Sequence, residues 1–138
     1  DGNEHRKKIH NSTSNYRWII NNNFPTDLQI LCANCNRGKA RFKSCPHDRI
    51  TIPITKHQKR RYKYIIKYGE KCLCCGENNW TFLEFDHINN DGNEHRKIIK
   101  NNLFKWIADN DFPNNIQLLC SNCNKAKRLY GKCPHQRI

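Results

Sequence analysis

Two Cys-x-x-Cys pairs, Cys72/Cys75 and Cys120/Cys123, constrain this chain more than any other feature. A two-residue gap lets both sulfurs of one turn face a single ion, so two such turns can supply the four thiolates of a closed tetrahedral zinc site. Between the pairs an apolar run, Leu83-Glu84-Phe85-Asp86-His87-Ile88, ends in a carboxylate and an imidazole, and Asn124 follows the second pair directly. The expectation is a small, zinc-stabilised α+β domain in which the metal gathers Asp86, His87 and Asn124. Cys74, inside the first pair, reads as a bystander, and His10 and His57 as surface residues.

Metal has to carry much of the stability. With 138 residues, 36% of them hydrophobic, and a mean hydropathy of −0.97, the chain has little apolar surface for a large core. A net charge of +13 calls for a polyanionic partner, DNA or else RNA, with an anionic membrane as the other candidate. No apolar stretch is of membrane-spanning length and no signal-peptide pattern opens the chain, so a soluble intracellular protein is expected. Nine cysteines are an odd count, and their paired spacing favours thiolate ligands in a reducing compartment over a disulfide framework. The chain has no methionine and opens inside a motif at Asp1, which reads as a piece of something longer.

The sequence also repeats itself: residues 1–50 return as 91–138. Asp1-Gly2-Asn3-Glu4-His5-Arg6-Lys7 matches Asp91-Gly92-Asn93-Glu94-His95-Arg96-Lys97, and Phe24-Pro25 matches Phe112-Pro113. Cys32-Ala33-Asn34-Cys35-Asn36 matches Cys120-Ser121-Asn122-Cys123-Asn124, and Cys45-Pro46-His47 matches Cys133-Pro134-His135. Residues 1–50 are thus the back half of a unit, and 51–138 a complete one. The half unit either takes its front half from a preceding segment or closes a local zinc site through Cys32, Cys35, Cys45 and His47. The short loops between those ligands favour the local site. Arg6, Lys7, Lys39, Arg41 and Lys43 would make the half unit a basic clamp. In the complete unit, Cys133 and His135 either join His95 at a second metal or stay free.

Periodicity places these motifs on elements. Tyr16, Trp18, Ile19 and Ile20 suit a helix that ends at Asn21-Asn22-Asn23, and Leu28, Ile30 and Leu31 a short strand into Cys32. Residues 50–55, with Pro53, read as a linker. Lys56 to Tyr68 reads as a basic amphipathic helix with Tyr62, Ile65 and Ile66 inward and Gly69 as cap. Trp80 to Ile88 suits a strand or hairpin, followed by a turn over Asn89, Asn90, Asp91, Gly92 and Asn93. Ile98, Ile99, Leu103, Phe104, Trp106 and Ile107 describe one further helix, Ile116 to Leu119 a second strand, and Asn124 to Leu129 a basic helix.

In the order Cys-x-x-Cys-Gly, Asp-His-Ile, Leu-Leu-Cys-x-x-Cys-Asn and a trailing Lys, residues 51–138 resemble the HNH endonucleases of the ββα-metal group, which includes phage Holliday-junction resolvases. The resemblance implies a treble-clef layout, with His87 as general base and with Asp86 and Asn124 holding a divalent cation such as Mg²⁺ at the scissile phosphate. It also implies a middle Asn, for which Asn115 and its neighbour Asn114 both qualify.

The residue types suit that chemistry. Hydrolysing a phosphodiester needs an activated water and neutralised phosphate charge; an imidazole can take the proton and a carboxylate can hold a hard cation. Asp86 and His87 are adjacent, so on a strand they point to opposite faces, and the strand must end or bend there for both to serve one site. Lys56, Lys59, Arg60, Arg61, Lys63, Arg96, Lys97, Lys125, Lys127 and Arg128 are the expected phosphate-facing cations. Metal-dependent DNA cleavage is the leading expectation, with a dimer or a larger nucleoprotein assembly left open. A non-catalytic RNA- or DNA-binding component is the main competitor, and a protein-interaction module a third.

Overall fold

The computed structural model describes residues 12–48, 52–100, 102–133 and 135. The Asp1–Lys7 motif, with Arg6 and Lys7, His10 and the first two residues of the expected 50–55 linker lie outside them. Among the described residues the protein is a small α+β structure with six α-helices and a two-stranded sheet. They run α1 (Ser12–Asn21), α2 (Ala33–Phe42), α3 (Lys56–Lys67), β1 (Leu83–His87), α4 (Gly92–Ile98), α5 (Leu103–Asp109), β2 (Ile116–Cys120) and α6 (Ser121–Tyr130). No described helix is long and apolar enough to cross a membrane.

The chain divides into two compact units, Asp1–Ile30 and Leu31–Ile138, so α2, although part of the half repeat, lies in the second unit. In the first unit, α1 ends where Asn22 donates to the Trp18 carbonyl through both its backbone N (3.0 Å) and Nδ2 (2.8 Å). Phe24 N reaches back to Ile19 O at 2.9 Å. α5 ends the same way in the second unit, with Asn110 on the Trp106 carbonyl and Phe112 N on Ile107 O. The strand expected at Leu28 to Leu31 does not form; the segment is irregular and Ile30 is fully exposed. An alternating apolar run becomes a strand only when a ladder partner is beside it.

The second unit is built on β1 and β2, antiparallel with Leu83 opposite Cys120 and His87 opposite Ile116. β1 is a single strand paired with a distant partner, since Trp80 to Phe82 form a turn and not the first arm of a hairpin. α3 opens with a capping box, Thr55 accepting from Gln58 N at 3.1 Å and Gln58 Oε1 accepting from Thr55 N at 3.1 Å. Its inward residues are Tyr64 and Ile65, while Ile66, expected inward, is half exposed. Ile65, Phe82, Leu83 and Leu118 fill one core with Cys72, Cys120 and Cys123 of the knuckles, while Cys75 is exposed. Each such side chain contributes about 1.5–3 kcal/mol on burial. Tyr64, Ile107 and Ile116 form a second cluster toward the other end of the strands.

The expected single helix through Ile98 and Ile107 is two short helices, and Ile98 is exposed. Its start also differs, because Gly92 and Asn93 are helical and not part of the turn. The last helix begins earlier than expected, inside the second knuckle: Cys120 is the N-cap, its sulfur accepting from Cys123 N at 3.5 Å. Cys32 caps α2 in the same manner through Cys35 N, also at 3.5 Å.

Candidate active site and metal centres

The strand register gives the β1/β2 pair two functional ends, cysteines beside Leu83 and the Asp-His pair beside Ile116. At the first end, the sulfurs of Cys72, Cys75, Cys120 and Cys123 all lie within 4.8 Å of one another, as the knuckle spacing predicts. Cys75 and Cys120 Sγ are 3.8 Å apart. In a tetrahedron with metal–sulfur bonds of about 2.3 Å, the sulfur–sulfur edge is about 3.8 Å, so the residues fit a dication of zinc's size. A hydrogen bond from Cys120 holds the Cys72 thiol down to about 4, and burial pushes Cys123 well above the ordinary thiol range. Buried thiols this close resist ionising together, and a bound dication relieves that cost.

A second group shares Cys123: Cys74, Cys123, Cys133 and His135 also offer ligand atoms within 4.8 Å of one another. Cys74, expected to be a bystander, thus stands among residues that could hold a metal ion. His95, a partner for Cys133 and His135 in one of the two sequence alternatives, instead meets His87 at the far end of the strands. The reason is register: the turn carrying Cys74 is tied to β2 by Leu73 N on Leu118 O at 2.9 Å, whereas His95 rides on α4, which follows the other end of β1. A third group consists of Cys35, Cys45 and His47, with His47 Nδ1 at 3.4 Å and 3.3 Å from the two sulfurs. It contains three of the four ligands expected there, and Cys32 lies outside the set.

At the other end, Phe85, Asp86, His87, Asn90, Gly92, Asn93, Arg96, Asn124, Lys127, Arg128 and Gly131 line a pocket of about 330 Å³. β1 stops at His87, so Asp86 and His87 both reach it. His87 is buried, with Nε2 at 2.6 Å from His95 Nδ1. His95 in turn packs edge-on against Trp106, ring centroids 4.1 Å apart, and its Nε2 is buried without a hydrogen-bond partner. Burial, then the neighbouring His95, lower the His87 pKa against the opposing pull of Asp91 and Asp86. The imidazole is thus neutral at pH 7, the form that can accept a proton. Gly92 permits the approach of α4: a β-carbon there would stand 2.9 Å from His87 Nδ1.

Asp86 Oδ2 accepts from Gln117 Nε2 at 2.8 Å and from Lys127 Nζ at 2.6 Å. Lys127 also donates to the carbonyls of His87 (2.7 Å) and Ile88 (3.2 Å), so its ammonium ties down the end of β1 and is not a free surface charge. Asn124 Nδ2 donates to Glu84 Oε2 at 2.9 Å. An ionised carboxylate only accepts, so the amide nitrogen must face Glu84 and the carbonyl oxygen is the atom that could face a cation. Glu84 also accepts from Ser121 Oγ at 2.8 Å and Arg37 Nε at 2.7 Å. Burial raises its pKa, but the Ser121 hydrogen bond and the Arg37 charge outweigh it and hold the carboxyl below its ordinary value. Asn115 stands at the start of β2, its backbone oxygen accepting from Ile88 N at 3.0 Å and its Oδ1 buried without a partner; Asn114 is exposed.

The expected phosphate-facing cations separate into groups. Lys56, Lys59, Lys63, Lys125 and Arg128 are exposed, and Arg96 and Arg128 line the pocket. Lys97 is exposed but paired with Glu94 at 3.2 Å. Arg60 lies over the rings of Tyr64 and Phe104. Arg61 turns inward to the Leu83 carbonyl and the Phe85 ring, and burial lowers its pKa to about 10. Arg41, expected in the clamp, bonds Thr81 O at 3.3 Å, while Lys39 and Lys43 are exposed. The sequence reading did not single out Glu84, the His87–His95 contact or the closeness of Gly92, all of which depend on long-range packing. No family model matches this chain, and no curated protein or solved structure is similar to it.

Proposed function

We propose that residues 51–138 form an HNH-type, treble-clef nuclease unit that hydrolyses phosphodiester bonds in DNA, with residues 1–50 as a partial repeat of its back half. The observation that carries this reading is the shared pocket of Asp86, His87 and Asn124 at the end of β1, with a neutral, buried His87 and the arginines Arg96 and Arg128 at its wall. His87 accepts the proton of the attacking water, and His95 at Nε2 sets the ring's orientation and tautomer. Arg96 and Arg128 engage the phosphate. A divalent cation held by Asp86 and the Asn124 carbonyl would supply charge neutralisation at the phosphate. Cys72, Cys75, Cys120 and Cys123 would hold a structural zinc, and that ion would keep Asn124 against β1. The repeat is supported by the matching ends of α1 and α5 and the matching caps of α2 and α6.

The test is nicking of a supercoiled plasmid with Mg²⁺, Mn²⁺ or Ni²⁺. Cleavage that His87→Ala abolishes, with DNA affinity nearly unchanged, supports the proposal; no nicking with any of the three overturns it. One observation favours a second reading, a non-catalytic DNA- or RNA-binding component: the Lys127 ammonium already neutralises Asp86. Salt-sensitive binding without turnover selects that reading.

A further inference from the structure

We propose that the cysteine end of the core binds two zinc ions bridged by the Cys123 thiolate: one on Cys72, Cys75, Cys120 and Cys123, the other on Cys74, Cys123, Cys133 and His135. The proposal rests on the zinc reading of the first four cysteines and extends it. Both ligand groups are complete sets of four, and Cys123 is the one residue common to them. His135 Nδ1 is 3.5 Å from Cys123 Sγ, 3.4 Å from Cys133 Sγ and 3.9 Å from Cys74 Sγ. With metal–sulfur bonds of about 2.3 Å and a metal–nitrogen bond of about 2.05 Å, the sulfur–nitrogen edge of a tetrahedron is about 3.6 Å. The three contacts bracket that edge, as the Cys75–Cys120 contact matches the sulfur–sulfur edge of the first site.

The charges balance. The second dication brings two new thiolates, Cys74 and Cys133, and a neutral imidazole, so the cluster's total charge stays that of one ion in four thiolates. Each thiol releases its proton to solvent as its sulfur binds, and Cys123, already a thiolate in the first site, uses a further lone pair to bridge. Two such ions explain why adjacent residues Cys74 and Cys75 are both cysteine: Cys75 turns to the first group and Cys74 to the second. The second ion would also tie the segment after α6 back onto the first knuckle, because Cys133 is buried in the same core.

Cadmium-113 NMR on the full chain, exchanged from zinc to isotopically enriched cadmium, tests the bridge directly, since only ions sharing a sulfur split one another's resonances. Two mutually split signals are expected, and Cys74→Ser should remove one and collapse the splitting of the other, with one metal lost by native mass spectrometry. Two unsplit core signals, or a single four-sulfur signal with a metal count unchanged by Cys74→Ser, overturn the bridge and leave the four-thiolate site standing. Failure of the core to bind zinc or cadmium at all overturns both. The unsubstituted protein carries the splitting measurement, so the test survives a poorly folding variant.

Discussion

Asn34 and Asn122 exchange two hydrogen bonds: Asn34 N donates to Asn122 Oδ1 at 3.1 Å, and Asn122 N donates to Asn34 Oδ1 at 2.9 Å. The two asparagines hold the same place in their Cys-x-Asn-Cys knuckles, so the starts of α2 and α6 meet as near-equivalents. Each side chain satisfies a backbone donor that a helix's first turn leaves unpaired. Asn34→Ala should therefore cost about 1–3 kcal/mol, because Asn122 N loses its acceptor at a partly buried site. The double replacement should cost less than the two single ones added, as contacting residues do. Urea midpoints of the metal-loaded variants check this, and strict additivity would show that the pair is not coupled.

Gly92→Ala should damage the pocket without unfolding the protein. The new methyl would stand 2.9 Å from His87 Nδ1, so either α4 or the imidazole must move. A displacement of about 1 Å at a reacting group costs about 100-fold in rate. The expected result is a nicking rate down by about that factor, with thermal stability and metal content near those of the parent protein. An unchanged rate would separate His87 placement from catalysis.

The protonation of His87 gives a pH test. Its pKa is lowered, first by burial and then by His95, so the neutral form persists below the ordinary imidazole value of 6.5. As pH falls, the base is lost only on passing through that depressed value, and the acid limb of cleavage should lie below pH 6.5. Replacing His95 with Gln removes one of the lowering influences and should move the limb upward, toward 6.5. An NMR titration of the imidazole in zinc-loaded protein without added Mg²⁺ measures the same midpoint apart from turnover. A midpoint at or above 6.5 contradicts the expectation.

How much of this arrangement the residue order discloses depends on distance along the chain. The four-thiolate group was legible because a two-residue gap fixes sulfur placement locally, and the Asp86–His87 site because the pair sits next to a turn signal. The partners of those groups were not legible. Glu84 reads as an ordinary outward strand residue, and becomes a junction for Arg37, Ser121 and Asn124 only once β1 lies beside α2 and α6. Lys127 reads as a surface cation, yet it folds back on Asp86 and two carbonyls. Leu28, Ile30 and Leu31 show the converse: a strand-like pattern without a neighbouring strand stays irregular. Cys74 was masked by its own knuckle, because an intervening cysteine says nothing of the Cys133 and His135 atoms that come near it from beyond α6.

Replacing Cys72 and Cys120 together with Ser should unfold residues 70–130 and lose the zinc of the whole cysteine end, since Cys74 and Cys123 of the second group lie in the same segment. Both sulfurs sit in the core with Phe82, Leu83 and Leu118, so an ion held there would tie the first knuckle to β2 through the hydrophobic cluster itself. In small domains that fold around a metal, metal-binding free energy is folding free energy. Zinc content by mass spectrometry and amide exchange across the segment measure the two effects together, and unchanged zinc content refutes the assignment.

The position of α2 decides the last prediction. The half repeat was expected to act as a clamp that could be removed whole, but α2 belongs to the second unit, together with the strands. Arg37 pairs with Glu84 at 2.7 Å, Phe42 packs edge-on to Trp80 at 5.8 Å, and His47 lies 4.7 Å from the Phe82 ring. Gly38 lies so close to Pro46 that an added β-carbon would stand 2.4 Å from Pro46 Cδ. Removing residues 1–30 should therefore leave zinc content, stability and cleavage near those of the whole chain. Removing 1–50 should strip the Cys35/Cys45/His47 group, expose Trp80 and Phe82, and leave Glu84 without its arginines, lowering stability by several kcal/mol. Because Glu84 fixes the Asn124 amide, cleavage should fall with it. Paired measurements of metal content, urea midpoint and nicking rate on the two truncations distinguish the cases. If the shorter and longer deletions behave alike, α2 contributes nothing to the site and its contacts with β1 are incidental.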